Sequence, residues 1–229
     1  VDAYVRRIRH FQRGTLLLLY NTLGSYTGYG AILLVFNLYL VALGYHEDFI
    51  GLFNSVMAVA MIAGSFGAVE ISRRWGHAGC IAIGSLGVVV SGVGLSFAES
   101  APAILALGAL NGFTQGQLFV PVGPYLVHHT TPDDRQDAFS VIWAAQSFSQ
   151  ALGSAIAGAL PSIFAVAFAL GSADGVMPLR LTLLAGSLTS AFGLLPLVAM
   201  IRLPAGLAAA PARLSACGAT SGSSPPSRR

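Results

Sequence analysis

Charge is missing from six long stretches of this 229-residue chain: residues 14–46, 49–69, 75–98, 100–132, 138–173 and 181–201 contain no Asp, Glu, Lys or Arg. A helix needs about 20 predominantly apolar residues to cross a hydrocarbon core about 30 Å thick, and each of the six is long enough. Soluble domains average about 25% charged residues, whereas this chain has 9%, with 55% hydrophobic. Lipid is the solvent such a composition suits. A strand reading fails, because barrel strands alternate apolar and polar over about 10 residues, and VVVSGVG and AILALGAL are nearly continuous. Helices satisfy their backbone groups internally, as lipid demands. The expectation is an all-α membrane protein of six transmembrane helices, at roughly 15–42, 49–70, 78–98, 102–128, 137–168 and 178–202. The gap from Ala138 to Ala173 is long enough to suggest two spans, but Pro161 would leave the second piece too short, so one long, bent helix is expected there.

All 12 basic residues are arginine, and the net charge is +3. Arg6, Arg7, Arg9, Arg13, Arg73, Arg74, Arg135, Arg202 and Arg213 all flank spans on one side of a six-helix topology, with Arg180 alone on the other. By the positive-inside rule the first side is cytoplasmic, which puts both termini there in the cell membrane. This accounts for the basic charge without nucleic acid. Residues 1–14 are a basic flank, read as topogenic, with a helix lying on the anionic leaflet as the other reading. Residues 15–202 form the bundle. Residues 203–229, rich in Ala, Gly, Ser and Pro without an apolar period, are expected to be a disordered cytoplasmic tail.

The charged residues lie near helix ends, so no constellation for intramembrane catalysis is visible and no enzyme is expected. Cys80 and Cys217 have no metal-ligand spacing and read as free thiols. His128, His129, Asp133 and Asp134 invite a metal reading, but adjacent helical residues diverge and no third ligand set appears, so no metal or cofactor is expected. The run TTPDDRQDAF reads as a helix start, with Thr131 capping and Asp133 and Asp134 meeting the positive end of the helix dipole.

Amides carry more information. Asn21, Asn37, Asn54, Asn111, Gln115, Gln117, Gln146 and Gln150 fall in the first, second, fourth and fifth apolar runs, and the third and sixth have none. Asn21 with Ser25, Asn111 with Gln115, and Gln146 with Gln150 are four apart, hence on one helix face. Each could be interhelical packing, worth about 0.6 to 2 kcal/mol. Their distribution favours a polar cavity lined by Asn21, Ser25, Asn54, Asn111, Gln115, Gln146 and Gln150. Gly24 with Gly28, and Gly108, Gly112 and Gly116, have the spacing that permits close helix approach. The first and fourth runs are both long and rich in Gly and amides while the third and sixth are plain, an echo that a three-plus-three inverted repeat would leave.

VFNLYLVALGYHEDFIGL, GALNGFTQGQLFVPVGPYLV followed by TTPDDRQDAFS, and ALGSAIAGALP together resemble the amino-terminal half of a major facilitator superfamily (MFS) transporter, over about residues 15 to 202. The resemblance implies that helices 1, 2, 4 and 5 line a central cavity while 3 and 6 lie outside. It also implies a gating loop between helices 2 and 3, and the stretch SRRWGH keeps two of its features, Arg74 and Gly76. Arg73 stands where the family's acid is expected, and Glu70, one turn earlier, is placed to pair with Arg73 or Arg74. The family typically has two six-helix halves. The resemblance therefore implies a half-size or truncated secondary transporter of a small solute, working by alternating access, its site completed by a second six-helix half or an identical copy. The absence of ionisable side chains deep in the spans leans toward neutral or amphipathic substrates. The other reading is a non-transporting membrane assembly or regulatory protein, or an inactive transporter fragment, whose amides only pack.

Overall fold

The computed structural model describes residues 11–170 and 172–202. The expectations for residues 1–10 and for the 203–229 tail, Cys217 included, lie outside the described residues. Among the described residues there are helices and no strands: α1 (Arg13–Ala42), α2 (Glu47–Phe97), α3 (Ala101–Phe119), α4 (Val122–His128), α5 (Arg135–Ala167), α6 (Val176–Phe192) and α7 (Leu195–Arg202). Five helical segments are long and apolar enough to cross a membrane, with α3 and α4 taken together and α6 and α7 taken together.

The fifty-one residues of α2 would extend about 76 Å as one straight helix, more than twice the apolar thickness of a bilayer. The segment is interrupted at Gly76, whose φ of 74° and ψ of 168° are not helical. Side chains across this point show that the chain turns back on itself. Cys80 Sγ lies 3.7 Å from the Ala68 carbonyl oxygen, whereas twelve residues along a straight helix span about 18 Å. The element is a helical hairpin with arms on either side of Gly76. Sequence alone suggested a connecting stretch between residues 70 and 78; instead helical turns continue to the reversal, which one glycine accomplishes because a Cβ is disfavoured at that φ and ψ.

Three other boundaries differ from expectation. The fourth run is broken between Phe119 and Val122, where Pro121 caps α4, since proline supplies no N–H to continue the ladder. The sixth run is broken at Gly193 and Leu194. α5 begins at Arg135, so Pro132, Asp133 and Asp134 precede it; Thr131 Oγ1 does accept the Asp134 backbone N–H at 3.3 Å, but in the turn before the helix. The long fifth run is one helix with Pro161 inside it.

α1 packs against α5 and α6, while α3 packs against both arms of α2. Missing side chains allow these approaches. A Cβ on Gly112 would run into the Met57 backbone, and one on Gly153 into the Thr27 carbonyl. Two apolar clusters occupy opposite ends of the bundle. One gathers Phe36, Tyr39, Phe53, Leu95, Ile104 and Leu183; the other gathers Leu18, Ile81, Leu118, Leu126, Ile142 and Met200. Tyr39 adds a polar tie at its end, its hydroxyl 3.2 Å from the Ala98 carbonyl. Arg180 there joins α6 to Glu99.

Candidate functional site

Between the apolar clusters lies a belt of buried polar side chains. Asn21, 2% exposed, donates from Nδ2 to the Gly193 carbonyl at 2.7 Å, and more weakly to Ser85 Oγ at 3.4 Å and Ser25 Oγ at 3.5 Å. Ser190 Oγ donates to the Ser25 carbonyl at 3.2 Å. On the other side of the bundle Asn111 Nδ2 donates to Ser91 Oγ at 2.8 Å, and Gln115 Nε2 donates to Asn111 Oδ1 at 2.7 Å. The serines of the second α2 arm and of α6 are the partners that composition did not disclose. The third run, which has no amides, supplies the hydroxyls of Ser85 and Ser91 to Asn21 and Asn111, and the sixth supplies the Gly193 carbonyl to Asn21.

The candidate cavity residues therefore divide. Asn21, Ser25, Asn111 and Gln115 are buried, with their hydrogen bonds made inside the bundle. Asn54 is exposed, and Gln146 and Gln150 are half-buried. Three small cavities run in series along α1. The first, about 20 Å³, brings Asn21 and Gln146 together beside Tyr26 and Trp143. The second, about 20 Å³, has Ser25 and Gln115 between Tyr26 and Tyr29. The third, about 50 Å³, has Asn37, Asn54 and Asn111 beside Tyr29 and Met57. Tyr26 is a shared wall of the first two, and Tyr29 of the last two. Gln150 lines none of them; its backbone packs against Gly30. Asn37 and Asn54 sit on facing helices, both exposed, with no side-chain hydrogen bond among the described residues. Their amide donors and acceptors are left for groups outside the bundle, unlike those of Asn21 and Asn111, which are bonded within it.

At the opposite end from Arg180 stands the Glu70–Gly76 stretch. Glu70 accepts from Arg74 Nε at 2.6 Å and from Arg73 Nη1 at 3.2 Å, so one carboxylate holds both arginines. All three side chains are about half exposed or more, and pairs of this kind on a helix are worth only about 0.3–0.5 kcal/mol each. Both pairs lie in the last turns before Gly76. His128 and His129 diverge, the first stacking on His77 and the second on Tyr125. Among the described residues no group of three or more His, Cys, Asp or Glu converges as metal ligands. Cys80 is a buried free thiol.

The family model of the Major Facilitator Superfamily matches residues 18–173. The chain belongs to the Major Facilitator Superfamily. Membership makes this an integral membrane protein of a transporter family, and the superfamily match covers every α1, α2, α3 and α5 residue placed in the three cavities. No curated protein matches the chain.

Proposed function

We propose that residues 15–202 form one six-crossing unit of a secondary transporter, in which the two α2 arms are separate crossings, related as three plus three by an inverted repeat, and the Arg73 end faces the cytoplasm together with both termini. A second six-helix unit, or a second copy, would close the open side of the cavities along α1, and rocking between the two units would give alternating access. The observation that carries this reading is the unpartnered pair Asn37 and Asn54 on facing helices beside an opening. The substrate is a small neutral or amphipathic solute, because no charged side chain lines any of the three cavities and an ion there would lack a counter-charge. Such a unit binds and moves its solute and does no covalent chemistry.

The test is single-cysteine labelling in a background with Cys80 and Cys217 changed to Ser. Cysteines replacing Asn37 and Asn54 should react with a membrane-impermeant thiol reagent much faster than one replacing Leu183, which is 1% exposed and lines none of the three cavities. Equal, slow labelling at all three would sink the cavity. A second reading, a non-transporting assembly protein, draws on Asn21 and Asn111, whose donors are already satisfied within the bundle.

A further inference from the structure

The Gly76 reversal is held down by aromatic nitrogen rings. His77, the first residue after it, stacks on His128 at the end of α4, with ring centroids 5.6 Å apart and planes inclined by 22°. Two cavities flank His77. One, about 260 Å³, is bounded by Trp75, Tyr125, His128, His129 and the α7 residues Met200 and Ile201. The other, about 380 Å³, is bounded by Ser72, Arg73, Val120, Pro121 and Pro124.

The surroundings of His77 favour its neutral form. Its Nδ1 is buried and has no hydrogen-bond partner, so an N–H at that atom would meet no acceptor. The neutral ring with its hydrogen on Nε2 avoids this cost. The ionisable groups lining the two cavities are Arg73 on its own hairpin and Tyr125, His128 and His129 on and just after α4; no carboxylate lines either. Glu70 is held by Arg73 and Arg74. Asp133, Asp134, Arg135 and Asp137 follow in the next turn and first helical turn, and Arg202 ends α7, none of them lining either cavity. His129 Nδ1 lies 2.9 Å from the Tyr125 carbonyl; a carbonyl can only accept, so that nitrogen carries the hydrogen.

We propose that His77 and His128 form a proton-sensitive latch: the stacked pair holds the reversal against the end of α4 while His77 is neutral, and uptake of a proton by His77 releases it. This goes beyond the transport reading and stands without it. Burial first, and the His128 and His129 imidazoles after it, hold the His77 pKa below its ordinary 6.5. The sign follows by linkage. The released state binds the proton better, so the latch is at full strength above about pH 6.5 and weakens as pH falls from there toward the depressed value. Each unit of depression allows the released population to rise about tenfold.

A native reporter sits behind the latch. Cys80 is 0% exposed, its thiol packed on the Ala68 and Gln117 carbonyls. In Cys217→Ser protein in lipid nanodiscs, Cys80 labelling by 4,4′-dithiodipyridine is followed from pH 7.5 to 5.0, each rate divided by that of N-acetylcysteine at the same pH. The expected result is a normalised rate that is flat above about pH 6.5 and rises several-fold below it. In His77→Phe, which keeps the ring and cannot titrate, the rate should stay flat throughout; His77→Gln is a second non-titrating variant should the first fail to fold. A flat profile in the parent, or a rise that survives in the non-titrating variant, overturns the latch.

Discussion

Replacing Asn21 by Leu tests whether the polar belt holds the bundle together. The substitution roughly conserves volume and removes the Nδ2 donor, whose two hydrogens serve the Gly193 carbonyl at 2.7 Å and, shared between them, two serine hydroxyls at 3.4 and 3.5 Å. Interhelical hydrogen bonds in membrane proteins average about 0.6 kcal/mol and reach about 1.7, and the short bond belongs near the upper value while the long ones add little. Gly193 sits at the break between α6 and α7, where carbonyls lose their helical donors, so its oxygen is left short of a partner at about 1 kcal/mol or more. The sum is about 3 kcal/mol. Ser85→Ala removes only a long contact and should cost about 0.6 kcal/mol or less. Reversible unfolding in mixed micelles measures both. A loss below about 0.5 kcal/mol for Asn21→Leu, or a larger loss for Ser85→Ala, would refute the assignment of Asn21 to the packing of α1 on α6.

Gly76→Ala should cost about 1–3 kcal/mol through the backbone alone, since no atom lies within 4 Å of the added Cβ; Gly76→Asn should do no better, because a ψ of 168° is outside the left-handed helical region that Asn tolerates. Unfolding midpoints of the two variants decide this, and a neutral Gly76→Ala would show that the reversal is not strained. Gly112→Ala drives a methyl into the Met57 backbone and should cost about 2 kcal/mol. Gly123→Ala, where the Cβ meets nothing, should be neutral or slightly stabilising in the same assay.

Helix ends are legible because charge is excluded from hydrocarbon: the first run is expected to end at residue 42 and α1 ends at Ala42, and the fifth is expected to end at 168 and α5 ends at Ala167, although the described residues give five segments long and apolar enough to cross a membrane where six are expected. The fold-back at Gly76 was not legible as a one-residue event. A glycine between Trp75 and His77 carries no mark of its φ, and both neighbours are compatible with helix. The breaks at Pro121 and Gly193 leave no mark in hydropathy, which runs through them unchanged. At the site, amide positions were readable and amide partners were not. Most serines in apolar helices bond their own preceding turn, as Ser55, Ser65, Ser91 and Ser96 do, and nothing in the sequence shows that Ser91 also accepts from Asn111, or that Ser85 accepts from Asn21. Which amides are left without a partner inside the bundle depends on that pairing.

The short bond from Asn21 to Gly193 also sets a schedule for biosynthesis. Its two ends are 172 residues apart, and at a synthesis rate of about 5–20 residues per second the acceptor follows the donor by on the order of 10 to 30 seconds. During that interval α1 cannot have its finished environment. Its amide must be held by water, by the insertion machinery or by a provisional neighbour, and α6 exchanges that partner for the Gly193 carbonyl when it arrives. α1, synthesised well before the carbonyl it bonds, is thus among the last of the described helices to be completed.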